Sequence, residues 1–234
     1  MADILILAIE TATGCSSVSL TEGTITDGTV LAECTLQPEI KHSRCLLGTI
    51  ATMMQAAGRD WADLGAVAVS QGPGSFTGLR IGMAAGKGFA LAANIPLIAV
   101  PTLDGLAAQV TVARKQVCCL LDARKGQVYA AFYRFGTTCF WHRSSEYRVC
   151  SPGELNRTIT EPTLAVGPGI RVCQPLFSAN PLVEMAPVGP FHPRAALIGF
   201  CAAQQLKQDS QDRNVDPEPL YVRASEAEMN RRPG

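Results

Sequence analysis

Residues 70–90 read SQGPGSFTGLRIGMAAGKGFA and constrain the fold more than any other stretch. An apolar run over 64–70 feeds a Gly-Pro-Gly turn, and the turn opens into a segment with glycines at 74, 78, 82 and 86. Four-residue spacing places them on one helical face. A glycine inside a helix costs roughly 1 kcal/mol relative to alanine, so four in a row imply a neighbour too close for side chains. Two arrangements satisfy that requirement: close seating of the helix on its own sheet, or a flat face for a second helix, from this chain or from a partner. The turn is also a candidate anion cradle, because N–H groups at a glycine-rich entry to a helix attract phosphate. Its spacing fits neither phosphate motif. Thr77 replaces the third glycine of G-x-G-x-x-G, and around Gly86-Lys87 the Walker pattern meets Ile81 and Gly88 where it needs glycine and Ser or Thr.

The rest of the chain repeats itself around that turn. Residues 4–9 form a continuous apolar run ending at Glu10, as expected of a buried central strand, and 17–20 and 30–36 complete a meander. Leu46, Leu47, Ile50, Met53, Met54 and Ala57 make a helical stripe stopped by Gly58. A strand at 97–100 and a helix over 102–112, with Thr102 as its N-cap, close the first half. The second half opens on another apolar run, 116–121, again ending in an acid, Asp122. Strands over 127–135 and 139–149 follow. Ser151-Pro152-Gly153-Glu154 then starts a helix with a capping box, and a strand at 164–166 runs into Gly167-Pro168-Gly169. Both halves read β-β-β-α-β-Gly-Pro-Gly-α, which predicts a duplicated α/β architecture. A last helix covers 194–207.

With 47% hydrophobic and 17% charged residues among 234, the chain is no disordered polymer. Twenty basic residues balance twenty acidic ones, so no global basic footprint for nucleic acid exists. Locally, Arg114, Lys115, Arg124, Lys125, Arg134, Arg143 and Arg148 face only Asp122 and Glu146, a bias that suits a solvated face or an anionic partner. The nine cysteines are odd in number and scattered, several of them (Cys15, Cys118, Cys119, Cys201) inside apolar runs. They read as small hydrophobes of a reducing, cytoplasmic compartment, and no apolar run nears the ~18 residues of a membrane span. Histidines occur only at 42, 142 and 192, too far apart for an assembled metal site. Glu10 and Asp122 remain as weak cofactor candidates: acids at strand ends that hold a metal through water, or cap their neighbouring turns.

Together the segments ILAIETAT, CSSVSL, HSRCLL, SQGPGSFTGLRIG, IPLIAVPTLDGLA, DARKGQVY and PLYVRASEAE resemble the TsaB (YeaZ) family, over essentially the whole chain. The resemblance implies the actin/sugar-kinase/Hsp70 ATPase (ASKHA) fold with two ribonuclease-H-like lobes. These are 1–103, carrying the pairing helices, and 104–207, with a tail of about 208–234 returning to the first lobe. It implies a role in bacterial synthesis of N6-threonylcarbamoyladenosine at A37 of transfer RNA, beside the catalytic paralogue TsaD and the ATPase TsaE. That paralogue carries two metal-binding histidines where this chain has Thr102 and Leu106, so no intrinsic cofactor is implied; ATP, ADP and metal belong to the partner subunits.

In the family the two helices around the glycine block pair with TsaD, or with a second copy as a homodimer. The implied interface here is His42, Cys45, Leu46 and Thr49 on the first helix and Gly74, Phe76, Gly78, Leu79, Arg80, Gly82, Met83 and Gly86 on the second. Arg114, Lys115, Arg124 and Lys125 are the candidate contacts to transfer RNA, reached only within the complex, or to the ATPase. Glu10 stands where many relatives carry aspartate, and no glycine follows two residues on, which counts against nucleotide binding by this chain alone. The competing reading is an ATP-dependent phosphotransferase of the same fold using Glu10 and Asp122 around Mg²⁺. A glycopeptidase would need a metal or nucleophile that no motif supplies.

Overall fold

The structure, a computed structural model, describes residues 4–36, 42–111, 115–136, 141–189, 191–208 and 216–222, with backbone alone over 42–45. Strands β1 (Leu5–Glu10), β2 (Ser16–Glu22) and β3 (Thr29–Leu36) form an antiparallel meander, and β4 (Leu64–Gly72) and β5 (Leu97–Pro101) add to it in parallel, in the order β3-β2-β1-β4-β5. The second sheet is built from β6 (Gln116–Asp122), β7 (Val128–Phe135), β8 (Trp141–Arg143), β9 (Arg148–Cys150), β10 (Thr163–Val166) and β11 (Val183–Met185). Its order is β11-β10-β6-β7-β8, with β9 also on β7, and β10 and β11 are the parallel additions. Counting β8 and β9 as one interrupted strand, the two sheets share one strand order. The doubling seen in the sequence is therefore present in the topology.

Helices α1 (His42–Ala56), α2 (Phe76–Ala93), α3 (Thr102–Ala107), α4 (Pro152–Thr158), α5 (Ile170–Phe177) and α6 (Ala195–Gln208) cover the sheets. Alternation along β1 decides which helix lies where. Leu5, Leu7 and Ile9 point to α1 and α2, where Ile50, Met53, Met54 and Met83 meet them. Ile6 and Ala8, with Ala66 and Ala68 of β4, point the other way, and these small side chains let α6 come close through Ala195, Ile198 and Ala202. A Cβ on Gly199 would collide with the Thr21 hydroxyl. The second sheet alternates likewise: Cys118 and Leu120 face α4 and α5, while Val117, Cys119 and Leu121 face α3. Burial drives the Cys118 and Cys119 thiols upward, as befits cysteines that serve as small apolar side chains.

The last helix corrects the expected division at 207, since α6 belongs to the first sheet. Glu33 of β3 meets its first turn: Oε1 accepts from the Ala196 amide at 3.1 Å and Oε2 from Arg194 Nε at 3.1 Å, while the Ala195 amide donates to Ser17 Oγ at 3.2 Å. A carboxylate at a helix N-terminus is stabilising. Three further expectations change. The helix expected over 102–112 ends at Ala107, and Pro101, not Thr102, stands at its cap; the buried Thr102 hydroxyl has no partner among the described residues. The single strand expected over 139–149 is interrupted, because Ser144 N–H turns back to Phe132 O and the Phe132 amide goes to Ser145 Oγ. Strand β11 lies in a Pro- and Gly-rich stretch that carries no alternation to reveal it. By contrast, the Ser151–Glu154 capping box forms as expected.

Candidate functional site

Both acid-ended strands and both Gly-Pro-Gly turns arrive at one cleft of about 450 Å³ between the sheets. Gly72 and Gly167 occupy matching places with φ of 119° and 107°, a backbone region open to glycine but not to ordinary residues. On one side the Ser75 amide donates to Ala12 O at 2.6 Å, and on the other the Gly169 amide donates to Leu120 O at 3.1 Å. Ser75 caps α2 through the Gly78 amide. Thr13, Ser75, Asp122, Arg124, Lys125 and Tyr221 are among the lining residues.

The two acids cap turns. Glu10 Oε1 accepts from the Ala12 amide at 2.5 Å, and Asp122 Oδ1 accepts from the Arg124 amide at 2.7 Å. Asp122 is exposed in the cleft, whereas Glu10 is fully buried and its Oε2 has no partner among the described residues. The pairing of Glu10 and Asp122 around a metal is thus corrected: a single carboxylate of the two reaches the cleft. Burial pushes the Glu10 carboxyl up to about 7, against the Ala12 amide and the Ser70 hydroxyl, which hold it down.

A carboxyl that titrates near 7 folded and near 4.5 unfolded binds protons more tightly in the native state between those values. Stability then falls as pH rises from about 4.5 to about 7 and is level on either side. Glu10→Gln keeps an acceptor for Ala12 and removes the titration. Its stability relative to wild type should climb across that window, by an order of 3 kcal/mol at most. Urea unfolding of both proteins at pH 5 and pH 8 checks this; an equal difference at the two pH values would refute it.

Arg124, Lys125 and Gly126 follow one another with positive φ of 65°, 53° and 70°. They make the tight turn that joins antiparallel β6 and β7, a hairpin geometry that needs positive φ at consecutive positions. The expected basic cluster does not assemble around them. Lys115 precedes β6 and pairs with Glu184 at 2.6 Å, whereas Arg124 and Lys125 follow that strand. A seven-residue strand separates them by about 20 Å. Arg134 pairs with Glu161, Arg143 lies over Tyr147 and Arg148 over Phe132. Arg114 falls outside the described residues.

The glycine row lies against the molecule's own first sheet. A Cβ on Gly74 would fall on Ala12 O, on Gly78 on Thr11 O, on Gly82 on Thr11 Oγ1, and on Gly86 on the Val69 side chain. Close seating of α2 is what these glycines provide, and Gly74, Gly78, Gly82 and Gly86 are corrected from partner contacts to internal ones. Leu79 and Met83, 1% and 4% exposed, are core residues as well and leave the interface set. Phe76 and Arg80 are exposed; the Arg80 guanidinium sits 3.9 Å from the Phe76 ring centre, and Tyr221 of the tail packs at a tilt against Phe76 and accepts from Arg80 Nε. Leu46 and Thr49 are half-buried, while the side chains of His42 and Cys45 lie outside the described residues.

Facing outward on α2, opposite the glycine row, are Arg80, Ala84, Gly88 and Leu91, the last 85% exposed. On α1 the outward face is Leu47, 61% exposed, with Gly48, Ala51 and Thr52. Among the described residues, and apart from their own helix backbone and chain neighbours, neither Gly48 nor Gly88 has an atom within 4 Å of where its Cβ would be. These are the bare positions open to a neighbour, and sequence reading missed them by choosing the wrong side of the helix. Tyr221 had no local signal, since its contacts lie 141 residues away in sequence. The tail is nonetheless bound as expected for 216–222: Leu220 N donates to Gln71 O at 2.8 Å and Lys87 pairs with Asp216 at 2.6 Å.

The family model described as TsaD, tRNA N6-adenosine threonylcarbamoyltransferase, matches residues 30–231. The tRNA threonylcarbamoyladenosine biosynthesis protein TsaB of Escherichia coli is 38% identical over 149 residues, 63% of this chain and 62% of that protein. Its Bacillus subtilis namesake is 33% identical over 130 residues, 56% and 55% of the two chains. The matched stretch thus spans less than two thirds of either relative. Among solved structures, a Pseudomonas aeruginosa protein described as similar to peptidase YEAZ superposes with a TM-score of 0.73 at 22% identity, covering 94% of this chain and 100% of that one. YeaZ from Pseudomonas aeruginosa gives a TM-score of 0.69 at 21% identity, covering 93% and 99%. The likeness in structure extends to the whole fold of two mixed sheets. Among the described residues no helix is long and apolar enough to cross a membrane.

Proposed function

We propose, because this chain belongs to the TsaB/YeaZ family, that it is the non-catalytic partner subunit in synthesis of threonylcarbamoyladenosine on transfer RNA. In this reading it pairs with TsaD through the outward faces of α1 and α2, pairs with itself when isolated, and engages TsaE in the cytoplasm. ATP, ADP and metal sit on those partners. The common strand order of the two sheets supports an ASKHA-type fold. Thr102 and Leu106, at the places of the paralogue's metal-binding histidines, are buried and offer no ligand set. Arg124 and Lys125 line the cleft and are the proposed contacts to transfer RNA or the ATPase.

The observation that carries the reading is the pair of outward helix faces, apolar and small, with Leu47 and Leu91 standing free of their own core. Such surface is stable in water when another protein covers it. Light scattering after size exclusion tests it. The chain alone should elute as a dimer, and added TsaD should convert it to a one-to-one complex. Leu47→Asp combined with Leu91→Asp should weaken both pairings by roughly a hundredfold, as expected when apolar contacts are replaced by buried charge. A TsaD complex that forms equally well with the double variant would defeat this assignment of the surface.

A further inference from the structure

At the other end of β6 from the cleft lies a cavity of about 470 Å³, between α3, α6 and the edge of the second sheet. Asp104 of α3 lines it. The Tyr133 and Tyr147 hydroxyls both donate to its Oδ1, at 2.6 and 2.7 Å, and among the described residues Oδ2 receives no donor and the carboxylate has no ion pair. Each phenol has one hydrogen and gives it to the same oxygen, so the carboxylate is held in one orientation with its second oxygen unused. Burial pushes this carboxyl up despite both tyrosines and Arg143. Arg143 shares the cavity, but its guanidinium lies 4.0 Å over Tyr147 and is engaged by Ser145 O at 3.1 Å and Glu146 at 3.6 Å. The unmatched charge is the acid.

Trp141 and Phe135 line the same cavity. Trp141 is fixed by its Nε1–H on Val110 O at 2.6 Å and meets Phe135 edge to face at 5.1 Å. We propose that this cavity binds a small organic amine, its ammonium on Asp104 Oδ2 and its apolar body against Trp141 and Phe135. Burying an ammonium beside an oriented carboxylate matches the charge that the protein leaves open. Neither the outward faces of α1 and α2 nor the cleft shares Asp104, Trp141 or Phe135, so this site stands or falls separately from the pairing proposal.

Benzylamine is the probe, added to the full chain labelled with ¹⁵N. The chain has two tryptophans, and Trp61, stacked on Phe89 at 5.7 Å, is the internal control. The Trp141 indole resonance should move saturably while that of Trp61 stays. Benzyl alcohol, nearly the same shape without the charge, should bind about tenfold more weakly. Asp104→Asn, which still offers the tyrosines an acceptor, should erase that preference. Ala108→Leu, which fills the cavity and leaves the carboxylate in place, should abolish binding of both compounds. A Trp141 resonance that does not move, or equal binding of amine and alcohol by wild type, would overturn the proposal.

Discussion

Gly78→Leu should unfold α2 from its sheet and lower the melting temperature by about 10 °C or more. The added Cβ would fall on the carbonyl oxygen of Thr11, a backbone atom that cannot rotate aside. Nor can Thr11 recede. Its amide donates to Ser70 Oγ at 3.3 Å and its hydroxyl to Gly78 O at 2.8 Å, so strand end and helix are tied at the point of collision. Relief requires lifting the helix, and that withdraws Leu79 and Met83 from a core in which each contributes roughly 1.5–3 kcal/mol. Overpacking against side chains alone costs about 1–3 kcal/mol, and a domain has only about 5–15 kcal/mol in hand. Thermal unfolding followed by circular dichroism checks the result. An unchanged melting temperature would mean that α2 does not depend on this seating.

The same residues show what the sequence could and could not disclose. Four glycines at helical spacing required a close neighbour, and that inference was sound. Which neighbour was not written in the spacing, because a helix face carries no label for the element opposite it. The answer lay in Thr11 and Ala12, 62 or more residues earlier, and becomes visible once β1 and β4 are paired in parallel. Strand identity was legible for the same reason that β1 and β6 are central: five or six consecutive apolar residues ending in an acid admit little else. An acid that ends a buried strand can cap a turn or hold a metal through water, and only the distances to the Ala12 and Arg124 amides decide for the cap. Helix α6 was placed with the wrong sheet because its apolar stripe fits either one. Its partner is chosen by small residues elsewhere, Ala8, Ala66 and Ala68, and by Glu33 at its N-terminus.

Gly88→Leu, ten residues along the same helix, should do the reverse to stability and still disable the protein's association. Gly88 is exposed, and among the described residues no atom outside its own helix backbone and chain neighbours lies within 4 Å of its missing Cβ. Leucine is the better helix former by about 0.8–1 kcal/mol, so the melting temperature should rise by roughly 2–4 °C. If a second helix comes to rest on Ala84 and Gly88, the four added carbons stand in its path, and the complementary surface has to part or rearrange. Losing the close contact at the centre of an interface costs on the order of 2 kcal/mol, or about thirtyfold in the dissociation constant. Sedimentation of the variant alone and with TsaD gives the constant, and calorimetry gives the melting temperature. A rise in melting temperature with undiminished pairing would remove this face from the interface; a fall would mean that α2 is already covered by part of its own chain. The substitution therefore tests separately the two uses of glycine on one helix, the inward one that lets α2 sit down on β1 and β4 and the outward one proposed above for the approach of another molecule.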